Sequence, residues 1–127
     1  MRQLTDHKLN GLNDLLDILV LDAPGQGNAN HEYRIEAYND PYEKSGTPVV
    51  YQNISFQNGP IKEFGVNGIS NEALLAIIID RLRGFQSGEY TCEDNKESLL
   101  HAESCLEWLQ KRTKDRILRG VEGQNLK

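Results

Sequence analysis

The 127-residue chain has only two cysteines, Cys92 and Cys105, and their spacing is not that of a metal site. Neither a disulfide scaffold nor a zinc module is expected. No apolar run reaches the roughly 18 residues that a membrane-crossing helix needs, so no transmembrane helix is expected. The opening MRQLTDHKLNGLND lacks the basic-then-apolar order of a signal peptide. Basic residues are in deficit, 14 against 19 acidic, for a net charge of −5. That balance argues against broad, charge-driven binding to DNA or RNA. Catalytic signatures are also missing. There is no GxSxG elbow, Walker loop or HxE…CxxC pattern, and His7, His31 and His101 fall on separate elements without metal-type spacing. Cys92, in the first turn of a predicted helix, has no base nearby and has Glu93 and Asp94 opposing a thiolate.

What is present fits one soluble globular domain, with 38 % hydrophobic and 26 % charged residues. The chain reads in two halves, a β region over 1–67 and a helical hairpin over 68–127. Residues 1–14 are polar and weakly patterned and carry no assignment. DLLDILVLD (14–22) is short, apolar and branched, which predicts a strand. PGQGNAN (24–30) is a turn, its lone GxG being too weak a signal for a phosphate loop. EYRIEAY (32–38) alternates, with Tyr33, Ile35 and Ala37 on one face. VVYQNISFQ (49–57) is a third strand. Asn58-Gly59 predicts a tight hairpin, with PIKEF (60–64) returning.

After Gly68 the apolar period lengthens to that of a helix. Ser70 is the expected cap, and Gly84 the expected left-handed closure. ALLAIII (73–79) is apolar all the way round, which calls for cover on more than one side and points to a second subunit. The second helix is expected from about Cys92 to Arg119, capped by Thr91 with Asp94 at the capping-box position and ended by Gly120. Leu99, Ala102, Leu106 and Leu109 form its core stripe. Cys105, Trp108, Arg112, Arg116 and Arg119 form a neighbouring stripe. The fold class is therefore α+β, a small antiparallel sheet followed by a long antiparallel helical hairpin.

Charge is concentrated at the end of that second helix. Lys111, Arg112, Lys114, Arg116 and Arg119 face only Asp115, so 111–119 carries +4 and the rest of the chain −9. Such a patch suits a small anionic ligand, and it also complements a helix dipole. Arg112 and Arg116, four residues apart, project from one helical edge and can each grip phosphate with two hydrogen bonds. Phe85 offers a stacking face or a cap contact, and Asn95 a cap or a hydrogen bond to a base edge or ribose.

The runs FQNGPIKEFGVNGISNEALLAIIIDRLRGFQSG and CLEWLQKRTKDRILRGVEG, preceded by LDAPGQGNANHEYRI, resemble the Thoeris anti-defence sponges. These small phage proteins sequester signalling nucleotides of bacterial immune systems, and their helical half resembles the hairpin of the anti-CBASS cyclic-nucleotide sponges. The resemblance implies a ligand, glycocyclic ADP-ribose, bound without degradation in the cytoplasm of the infected host, with no cofactor, metal, membrane or nucleic-acid polymer involved. It implies subunits paired through their hairpins as a dimer or hexamer, and cyclic di- or trinucleotides at separate sites in larger members. It places the stacking ring on Phe85, the polar amide on Asn95 and the phosphate grip on Arg112 and Arg116. Where many relatives carry Pro, an aromatic and a basic residue before Glu-Asn, this chain reads GEYTCEDN, so Glu89, Glu93 and Asp94 add negative charge. A nucleotide-degrading enzyme and an oligomeric protein-interaction module are the alternative readings.

Overall fold

Hydrogen bonding of alternating apolar segments gives a four-stranded antiparallel sheet of β1 (Arg2–Leu4), β2 (Leu16–Val20), β3 (Glu32–Ala37) and β4 (Val50–Ser55), in that spatial order. Helices follow: a single turn, α1 (Ile61–Phe64), then α2 (Asn71–Gln86) and α3 (Glu93–Leu118). The protein is α+β. The computed structural model describes residues 1–120 apart from 10, 41 and 45, together with the backbone alone of Gln26. Two compact units are formed, one by 1–59 with 66–68 and one by 60–65 with 69–127.

In the sheet unit the register brings Leu16, Ile18 and Val20 opposite Ala37, Ile35 and Tyr33. Val20 and Ala37 are buried there, and Phe56 packs edge-on to Tyr33 with ring centroids 5.6 Å apart. The opposite face is polar. It carries Arg34, whose guanidinium lies 4.8 Å from the Tyr51 ring, and Glu32, which accepts a hydrogen bond from Ser55 at 2.7 Å. The predicted strand over 14–22 begins later than expected, because Gly11–Leu15 forms a 3-10 helix. The fourth strand comes from the N-terminus and pairs with β2.

PIKEF is not a return strand. The Asn67 carboxamide occupies both backbone groups of Asn58, accepting from its N–H at 2.7 Å and donating to its carbonyl at 2.8 Å. Gln57 accepts from the Asn67 N–H and donates to the Gly59 carbonyl. With the ladder positions taken by side chains, 61–64 closes into one helical turn, and Gly65 ends it at φ 69°. Gln57, Asn58, Gly59 and Asn67 thus form one clasp.

His31 is buried beneath Gly25 with its Nδ1 3.9 Å from the Asp22 carboxylate. Asp17, 7 % exposed, is held by Lys8 at 2.9 Å and Lys44 at 3.0 Å, which ties the segments flanking the sheet to β2. Burial pushes its carboxyl upward, but the hydrogen bonds and charges of the two ammonium groups outweigh this and hold it below its ordinary 3.8. A lowered folded value means the stabilisation is complete above the unfolded value and is lost as pH falls through the folded one. Asp17→Asn is expected to cost about 1.5–3 kcal/mol at neutral pH. Urea melts across pH 2–7 should show the wild type converging on the variant in acid, and parallel curves would contradict the assignment.

In the helical unit Ser70 caps α2, accepting the Ala73 N–H at 3.1 Å. Gly84 does not end the helix. α2 runs to Gln86, and Ser87 terminates it by taking the Gly84 carbonyl with both its N–H and its hydroxyl. The cap of α3 is Cys92, not Thr91. Gln86 Oε1 accepts the Cys92 N–H at 3.1 Å, fixing that residue extended, and the Cys92 sulfur accepts the Asn95 N–H at 3.4 Å. The shift by one residue takes Asp94 out of the capping-box position. Gly120 follows the helix end at φ 71°, as expected. Arg83 bridges the hairpin to Glu103 at 2.8 Å. Leu99, Ala102, Leu106 and Leu109 are the half-buried stripe of α3, yet no described residue of this helix is fully buried. On α2 only Ile79 is buried, while Ile77 and Ile78 are about half exposed.

Candidate functional site

Phe85 sits in the last turn of α2 rather than after a helix-ending glycine. The residue is 37 % exposed. Tyr90 stands edge-on to it with centroids 6.1 Å apart, and the Arg81 guanidinium lies 5.5 Å from its centroid. Neither neighbour was assigned a role from sequence, although Arg81 lies one turn before Phe85 and the i, i+4 spacing would have found it. Asn95 lies in the first turn of α3, where its Nδ2 donates to the Tyr90 carbonyl at 3.1 Å. That bond fixes the amide orientation, so Oδ1 is the edge presented as an acceptor. Glu93 and Asp94 share this first turn, where carboxylates complement the helix dipole. Together Gln86, Tyr90, Cys92 and Asn95 make the helix connection a hydrogen-bonded turn displaying two rings, Phe85 and Tyr90, and the Asn95 amide.

The arginine pair lies near the other end of α3. Arg112 and Arg116 line an open groove of about 540 Å³ with Trp108, Lys111, Asp115 and Arg119. Lys111 is paired with Asp115 at 3.0 Å. Arg112 has no carboxylate partner among the described residues. The groove offers dense positive charge and one large ring, a surface for a small polyanion. No three side chains among the described residues cluster as metal ligands. No helix among them is long and apolar enough to cross a membrane.

The four residues singled out from sequence are therefore not brought together within one chain. Phe85 and Asn95 share the turn end. Arg112 lies about 25 Å further along α3 than Asn95 at the rise of an α-helix.

Residues 48–114, more than half the chain, match the family model described as the Acb2/Tad1 hairpin domain. The chain belongs to the Acb2/Tad1 hairpin family. The match takes in β4, α2 and α3 as far as Lys114, with Phe85, Asn95 and Arg112, whereas β1 to β3 precede it and Arg116 lies just beyond it. A relative named "Thoeris anti-defense 1", from Bacillus phage SBSphiJ7, is 46 % identical over 74 residues, covering 58 % of this chain and 52 % of that protein. The chain thus matches about half the length of that relative. In this Acb2/Tad1 member, the motif glycines and amides serve the clasp before α2 and the turn after it, while the cationic stripe serves neither.

Proposed function

We propose that the protein is a phage anti-defence sponge that holds a glycocyclic ADP-ribose signal of the Thoeris system whole, between two copies of the chain in the host cytoplasm. The observation that carries this reading is the division of the candidate residues between opposite ends of α3. Two hairpins packed antiparallel would bring the turn of each copy to the arginines of the other. Such packing would also cover Ile77, Ile78 and the exposed surface of α3. In each composite site Phe85 would stack on adenine, Asn95 Oδ1 would accept from a polar edge, and the partner's Arg112 and the partner's Arg116 would grip the diphosphate. The groups present bind and orient, and none is arranged as nucleophile and base. Sequestration needs affinity rather than turnover, and nanomolar binding corresponds to about −12 kcal/mol.

The test is recovery. Protein incubated with glycocyclic ADP-ribose, heat-denatured and chromatographed should return the ligand intact and stoichiometric with protein sites. A cleaved product would make the protein an enzyme, and absence of bound ligand would remove the sponge reading.

A further inference from the structure

Trp108 is the one tryptophan of the chain and is 67 % exposed. Leaving most of an indole in water forgoes a large share of the burial energy that aromatic residues usually supply. Its surroundings give this exposure a use. Trp108 lies one helical turn before Arg112 on the same edge, and the two line the same 540 Å³ groove. That volume is in the range of small-molecule sites. Among the described residues no aromatic ring or cation is stacked on the indole, whereas Phe85 already meets Tyr90 and Arg81. Lys111 is answered by Asp115, and the indole lies in the groove beside Arg112, Arg116 and Arg119.

Guanidinium groups alone grip any phosphate, and they do not separate a nucleotide from inorganic pyrophosphate. An aromatic face one turn away can, because it adds contact only where the diphosphate carries an organic ring. We propose that Trp108 is a specificity-determining second aromatic wall of the ligand site, packing its indole against the sugar that flanks the diphosphate. The inference rests on the sequestration reading above and adds to it a residue and a discrimination.

Because Trp108 is the sole tryptophan, its emission reports on this wall directly. Wild-type protein is titrated with glycocyclic ADP-ribose, the cyclic ADP-ribose meant throughout this test, and with inorganic pyrophosphate, following fluorescence and heat, alongside Trp108→Leu and Trp108→Phe, with assembly mass measured by sedimentation. Cyclic ADP-ribose should change wild-type emission, and pyrophosphate should leave it nearly constant. Trp108→Leu should bind cyclic ADP-ribose at least tenfold more weakly, keep its pyrophosphate affinity within twofold and keep its assembly mass. Trp108→Phe should recover much of the loss. Unchanged cyclic ADP-ribose affinity in Trp108→Leu would overturn the proposal. So would dissociation of that variant with parallel loss of both probes, which would assign the indole to packing between copies. Wild-type protein that binds neither probe would overturn the proposed function together with this inference.

Discussion

Mixing Phe85→Ala chains with Arg112→Ala chains is expected to restore sites of wild-type nucleotide affinity that neither variant has alone. Each substitution by itself should weaken glycocyclic ADP-ribose binding at least tenfold. Phe85→Ala removes the stacking face and Arg112→Ala removes charge-assisted bonds of about 1.5–3 kcal/mol each. In a twofold assembly with two composite sites, a mixed pair carries one site with both lesions and one site with neither. Random exchange should therefore return about a quarter of the sites at wild-type affinity. Calorimetry after denaturation and co-refolding would read this as a reduced stoichiometry with unchanged Kd. If all four groups served one ligand from a single chain, no mixture would recover binding, and the roughly 25 Å between Asn95 and Arg112 would have to be closed by refolding of the helix.

Gly68→Ala should cost about 3 kcal/mol or more, lowering Tm by about 10 °C. A Cβ at Gly68 would fall 2.3 Å from the Phe56 carbonyl carbon and 2.6 Å from the Gln57 nitrogen. Both are backbone atoms, held where β4 ends and the Asn58–Asn67 clasp begins, so neither can swing aside. Gly84→Ala is the contrasting variant. Gly84 is inside α2 with nothing within 4 Å of the added carbon. It should gain about 0.5–1 kcal/mol, the usual preference of a helix interior for alanine. A loss at Gly84 would mean that another copy approaches the bare backbone there. Thermal melts of the two variants against wild type settle both points.

The α+β architecture was legible in the chain because periodicity changes sharply near Gly68, and Tyr33, Ile35 and Ala37 share a face as their alternation requires. The core stripe of α3 was legible for the same reason. What local pattern could not reveal were long-range exchanges of hydrogen bonds. Asn58-Gly59 reads as a hairpin only until Asn67, nine residues on, supplies the groups that a return strand would have used. β1 is too short and polar to announce itself, and its partner is distant in sequence. Gly84 and Thr91 were reasonable punctuation, overruled by Ser87 and by Gln86 reaching to Cys92. For the candidate site, residue types and spacings were visible, and the arginine pair does line one groove. The separation of the two ends was implicit in helix length and needed only the rise per residue to emerge.

A helix of 26 residues without a single fully buried side chain among those described has a consequence for the proposed sponge. If the missing cover is another molecule of the same kind, then folding of the hairpin and pairing share one equilibrium that depends on expression level. Early, sparse chains would be thinly populated in their competent form, and activity would rise more steeply than linearly with synthesis. Transcription strength, as much as binding strength, would then set when the host's alarm goes silent.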